Sequence, residues 1–241
     1  MKKAMKKQLR LQRSDWLIGV PMILGGMLFG IAVMVFLVKM EGISEIKGYI
    51  PVGTLLGMIM CGVFCGLVMI GALPVNFNLQ VSLGCTRKQF FVSYYLTWML
   101  GVLVYYALLL ALWRAECLLY ERLWPALECG ADFGGPMLRW GIPVCVVFPI
   151  VGGFLGAMIM RFGRKAGIVL WVVWMVVCLG GPKVADAMEE APDSVYGRIG
   201  TGILELCNTV PGGVWAAGIL AVALLCLAGA YGIVRRQQVT L

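Results

Sequence analysis

The stretch Trp16–Val38 reads W-L-I-G-V-P-M-I-L-G-G-M-L-F-G-I-A-V-M-V-F-L-V and contains no charged side chain. A charge at a bilayer centre costs about 2.5–3.5 kcal/mol on insertion scales, so an unbroken apolar run of this length marks a membrane helix. About 20 residues suffice to cross a hydrocarbon core of about 30 Å. Five further runs share this character: Ile50–Leu73, Phe90–Trp113, Trp140–Met160, Ala166–Pro182 and Pro211–Val234. The fifth is the shortest. The composition agrees, with 61% hydrophobic residues. The reading is an all-α membrane protein of six transmembrane helices. No hydrophilic segment is long enough for an ordinary soluble domain, so residues 1–241 form a single transmembrane domain.

Charge between the runs is sorted by side. Residues 1–15, 74–89, 161–165 and the segment after Val234 carry 13 Lys and Arg and one acid, Asp15. The segments 39–49, 114–139 and 183–210 carry 7 Lys and Arg and 11 acids. The positive-inside rule counts the basic residues and puts the first set, with both termini, in the cytoplasm. The net charge of +8 therefore points to anionic lipid beside membrane spans and not to nucleic acid.

Residues 1–13 separate on a helical wheel. Met1, Ala4, Met5, Leu9 and Leu11 share one arc with Gln8 and Gln12; Lys2, Lys3, Lys6, Lys7, Arg10 and Arg13 fill the other. This predicts an interfacial amphipathic helix over 1–14 whose basic face contacts lipid headgroups. A disordered basic tail is the alternative. Ser14 is a candidate cap, and Trp16 marks the headgroup level.

The nine cysteines form no framework. Cys61, Cys65, Cys145, Cys178 and Cys226 lie within spans, and one disulfide among Cys117, Cys129 and Cys207 is open. With no histidine in the chain, no metal site is expected. The fourth span carries Pro143 and Pro149, then Gly152, Gly153 and Gly156. Proline kinks a helix and glycine admits a close neighbour, so this span reads either as a flexible pathway lining or as a packing seam. Segment 183–210 contains a weakly apolar stretch, Ile199–Leu206, which suggests a re-entrant outer piece before the sixth span.

The segment 74–89 reads P-V-N-F-N-L-Q-V-S-L-G-C-T-R-K-Q. On a helix it presents two opposed apolar stripes: Val75, Leu79 and Leu83 on one, Phe77 and Val81 on the other. Asn76, Asn78 and Gln80 lie between. Such a helix suits a position sandwiched between the membrane bundle and a soluble partner. Gly84 stops it, and Thr86–Gln89 has capping-box spacing.

The block N-F-N-L-Q-V-S-L-G-C-T-R-K-Q-F-F resembles the cytoplasmic loop between the second and third spans of permease subunits of ABC transporters, of the six-helix exporter class. The six-span layout and G-x-T-R-K at Gly84–Lys88 carry the likeness further. The resemblance implies that 74–89 is a coupling segment docked on an ATPase. Asn76, Phe77, Asn78, Leu79, Gln80, Val81 and Leu83 would make the contact, with Phe77 as anchor. Arg87 and Lys88 would face ATPase acids or lipid phosphates. It further implies two ATPase copies, a second permease that is identical or related, and a location in a bacterial plasma membrane.

No G-x-x-x-x-G-K-[ST] occurs, so this chain binds no cofactor by that route, and ATP and Mg would belong to the partner ATPase. Histidine and paired intramembrane acids are missing, which argues against an enzyme. The apolar spans suit a peptide, antibiotic or lipid-like cargo, and the acidic outer loops suit defence against cationic antimicrobial peptides. The alternative is a six-span small-molecule-binding component of an importer, or a membrane sensor.

Overall fold

A computed structural model describes residues 2–41, 51–125, 134–190 and 194–237. Within them run seven helices: α1 (Lys2–Glu41), α2 (Val52–Ser82), α3 (Arg87–Leu123), α4 (Gly134–Phe162), α5 (Arg164–Glu190), α6 (Val195–Thr209) and α7 (Gly212–Arg236). All but α6 are long and apolar enough to cross a membrane. Helices α1 to α4 and α7 pack together, whereas α5 touches only α4 and α6, and α6 touches only α5.

Three boundaries differ from the sequence reading. The expected interfacial helix over 1–14 is not separate, because α1 is one helix of 40 residues that passes through Ser14 without a break. At 1.5 Å per residue that is about 60 Å, twice the hydrocarbon thickness. The Trp16 ring packs inside the bundle: it lies over Gly101, with Trp98 and Tyr105 at centroid distances of 6.4 and 6.0 Å. Likewise α2 runs on through Pro74 to Ser82, so residues 74–82 continue the second span. The fifth span does not stop at Pro182 but extends to Glu190. Segment Ile199–Leu206 lies within the helix α6, which Ser194 caps by accepting the Gly197 amide at its hydroxyl.

Helices α1 and α2 approach backbone to backbone. A Cβ on Gly30 would stand 2.6 Å from the Gly53 Cα, and one on Gly26 would stand 3.0 Å from the Leu56 carbonyl oxygen. Without a hydrophobic drive between helices in lipid, such close van der Waals contact is what holds them. The fourth-span glycines form a second seam. Gly152 and Gly156 face Met69, Ile70 and Leu73 of α2, and Gly153 faces the Tyr95 ring of α3. Of the two readings of that span, close packing is the one these contacts describe. Pro143 is exposed and Pro149 is buried in the same helix.

Helix α3 ties the bundle together through polar tips that find backbone carbonyls. Tyr94 donates to Met69 O (2.7 Å), Tyr105 to Trp16 O (2.8 Å) and Tyr106 to Met137 O (3.0 Å). At the end of the bundle away from the termini, Glu116 is fully buried. Its carboxylate accepts from the amides of Gly53 (2.8 Å) and Thr54 (2.6 Å) and from the Thr54 hydroxyl (2.6 Å). These are first-turn amides of α2, which have no acceptor within the helix, and the N-terminal helix dipole favours an acid there. Hydrogen bonds to a carboxylate are worth about 1.5–3 kcal/mol, and a buried donor left unpaired costs a similar amount. Glu116→Ala is therefore expected to lower stability by at least about 2 kcal/mol. Glu116→Gln, which keeps one acceptor but turns an amide N–H₂ toward α2, should fall in between. Thermal unfolding of the detergent-purified chain measures both.

Candidate functional site

At the end of the bundle where the termini meet, α1 and α2 project together. Residues 52–73 of α2 cover about 33 Å, enough for the hydrocarbon core, so the next ten residues stand beyond it. Among the described residues two side-chain hydrogen bonds join this part of α2 to α1. Gln80 Nε2 donates to Gln8 Oε1, and Lys7 Nζ donates to the Leu83 carbonyl at 3.4 Å, near the C-terminus of α2.

The two-stripe reading of this segment corresponds to two different environments. Phe77 is fully buried and meets Phe90 edge-on, with ring centroids 5.4 Å apart. Gln80 is also fully buried, Asn76 is nearly so, and Val81 and Asn78 are half-buried. The opposite stripe is open, with Val75, Leu79 and Leu83 exposed by 65%, 41% and 56%. This corrects the role given to Phe77. A side chain enclosed by its own bundle cannot anchor a partner, and the same holds for Asn76 and Gln80. Of the residues expected to dock, Leu79 and Leu83 are exposed, as is Val75 on their face.

The Arg87 guanidinium donates through Nη1 to the carbonyl of Arg235, in the last turn of α7. A cation there complements both the unpaired carbonyl and the negative helix end. Lys88 is exposed, as are Lys6, Lys7, Arg10, Arg13, Arg161, Arg164, Lys165, Arg235 and Arg236. Together they make this the basic end of the bundle. The side chains of Lys2 and Lys3 lie outside the described residues, as do Cys129 and the side chain of Cys207. Cys117 is buried in α3. Cys85, in the turn after α2, is buried; that burial pushes its thiol up, against the opposing pull of the Lys7 ammonium.

Between the projecting parts of α1 and α2 lies a layer of fully buried amides: Gln8, Gln12 and Gln80. Among the described residues one hydrogen bond joins them, and neither amide atom of Gln12 meets a protein partner. Gln80, between the two stripes of its own helix, carried no signal for burial, whereas the place of Gln8 and Gln12 in the apolar arc of the helical wheel was the signal for theirs. Glu116 had a similar signal. It lies on the helical stripe that continues from Tyr105 and Leu109, although a count by segment assigned it to the outer acids.

Away from the projection, an apolar cavity of about 430 Å³ lies between α2, α3 and α4. Its walls include Cys61 and Cys65, whose sulfurs are 4.0 Å apart, and none of Pro143, Pro149, Gly152 or Gly153. Three small polar residues of the spans pair with backbone or with another side chain. Thr54 bonds Glu116, Ser93 donates to Phe90 O and Thr97 to Ser93 O. Among the described residues no three His, Cys, Asp or Glu side chains gather as a metal site would need. Compared with known proteins, the chain matches no family model, no curated protein and no solved structure.

Two substitutions separate a packed aromatic from an unpaired amide, both buried. Phe77→Ala deletes a buried aromatic and should cost about 3–5 kcal/mol. Gln12→Leu replaces a buried amide without a protein partner by an apolar side chain of similar size, and should raise stability by about 1 kcal/mol. Thermal unfolding in detergent reads both, and opposite signs are expected.

Proposed function

We propose that the chain is the membrane-spanning permease subunit of an ATP-driven exporter of the ABC class. It would move an amphipathic or hydrophobic cargo outward, with ATP hydrolysed on separate subunits. The observation that carries this reading is the exposed Val75–Leu79–Leu83 stripe. It sits on a helix continuous with a membrane span, backed by a packed core and surrounded by basic side chains. An apolar stripe beyond the hydrocarbon gains from a protein partner. The charge rule puts this end in the cytoplasm, where an ATPase would be. Leu79 takes the place of Phe77 as anchor, and Lys88 is free to meet an acid.

Two ATPase copies and a second permease, identical or related, complete the assembly in this proposal. Helix α5 is consistent with that, since it buries no residue of its apolar window and leaves a full face for a partner bundle or lipid. The apolar cavity favours a second reading, a six-span small-molecule-binding component. Its walls would suit a hydrophobic ligand and not a polar vitamin.

Affinity purification of the tagged chain from its native membranes, in mild detergent, tests the proposal. A chain with a P-loop is expected to co-purify. Leu79→Glu combined with Leu83→Glu should remove it and leave thermal unfolding unchanged, because both positions are exposed. A wild-type preparation without any P-loop chain overturns the assignment.

A further inference from the structure

The cavity between α2, α3 and α4 has dimensions and chemistry that the exporter reading does not use. Its volume of about 430 Å³ falls in the range of ligand sites, about 300–1,000 Å³. Its α4 wall runs from Met137 to Phe148, about 16 Å at 1.5 Å per residue. That is the depth of one leaflet, half of a core of about 30 Å. The cavity begins at the end of the bundle opposite the basic one and stops near the middle of α2, at Cys65.

The wall is apolar by construction. The two tyrosine hydroxyls that border it are turned away, Tyr105 to Trp16 O and Tyr106 to Met137 O. No acidic side chain lines it. The cavity opens sideways, where Trp140 and Val144 are 51% and 54% exposed. At this rim the Arg139 guanidinium lies over the Trp140 ring, 5.7 Å from its centroid. Arginine donates a planar fork suited to phosphate, and a stacked guanidinium keeps that fork free. Gly62 forms part of the floor, and a Cβ placed there would meet nothing within 4 Å.

We infer that this cavity holds one acyl chain of a bilayer phospholipid from the leaflet opposite the basic end, with the lipid phosphate on Arg139. A hydrocarbon chain fits a one-leaflet apolar slot, and a single cation at its mouth matches a single phosphate. The second acyl chain stays in the surrounding bilayer, past the open side. The inference stands whether or not an ATPase partner exists.

Native mass spectrometry of the full chain, released from detergent with added palmitoyl-oleoyl-phosphatidylglycerol, tests it. The wild type is expected to retain one phospholipid. Gly62→Leu fills the slot and should lower the retained fraction at least tenfold. Gly25→Leu is the control: it lies on the exposed side of α1, also with nothing near its Cβ, and should match wild type. Arg139→Ala should reduce phosphatidylglycerol retention several-fold, to the level of dioleoylglycerol, whose retention it leaves unchanged. If Gly62→Leu does not fold, Val144→Phe closes the slot from the other wall. Retention by the filled variants equal to wild type overturns the acyl-chain site. Equal loss of both lipids in Arg139→Ala overturns the phosphate contact. A wild type that keeps no lipid overturns both.

Discussion

A single carboxylate holds the bundle's first three helices in register. Glu116 of α3 occupies the N-terminus of α2, where two amides and a hydroxyl converge on it. The site exists only because residue 53 has no side chain. A Cβ there would come within 2.8 Å of the Glu116 oxygen and 2.9 Å of the Met27 carbonyl on α1. One glycine thus lets α1 close onto α2 from one side and lets the acid in from another. In a medium with no water to satisfy stray amides, that arrangement fixes where α2 begins.

The two ends of the bundle are built on opposite polar logic. At the Glu116 end two amides and a hydroxyl converge on one carboxylate at 2.6–2.8 Å. At the basic end the α1–α2 contact passes through glutamine amides that are buried and only partly paired. Fully satisfied polar networks rigidify and specify a packing, whereas partly satisfied ones leave neighbouring arrangements closer in energy. The bundle is accordingly stiffest at the end with the carboxylate, and the projecting α1–α2 pair is its more adaptable part. Lysine and arginine close helix ends here, Lys7 of α1 at the end of α2 and Arg87 of α3 at the end of α7.

Much of this was legible in the residues. Charge-free runs locate six spans because the cost of a buried charge is large compared with any helix propensity. The opposed stripes of 74–83 announced two faces, and there are two. What periodicity could not tell was which face turns inward, since Phe77 and Leu79 are equally apolar. That choice depends on the tertiary contact with Phe90, a residue in the next helix. The helix junctions at Ser14 and Pro74 were misread for a related reason. Caps and prolines signal local endings, but both helices continue because side chains on α1 and α2 support each other through the junction. Glu116 was hidden by a rule that treats every acid between spans as solvated. Its position on the stripe of Tyr105 and Leu109 outweighs that rule once α3 is known to extend past Trp113.

Pro74 lies inside α2 just where the membrane part passes into the projection. Proline donates no hydrogen bond, so the carbonyl of Ile70 loses its partner four residues on, and α4 fits Gly156 against that oxygen. The rod is therefore continuous but weakest at one joint, with about 13 Å of lever from there to Leu83. A push sideways on the leucines acts as torque about this fulcrum, and the bearing it turns against is the glycine face of the fourth span.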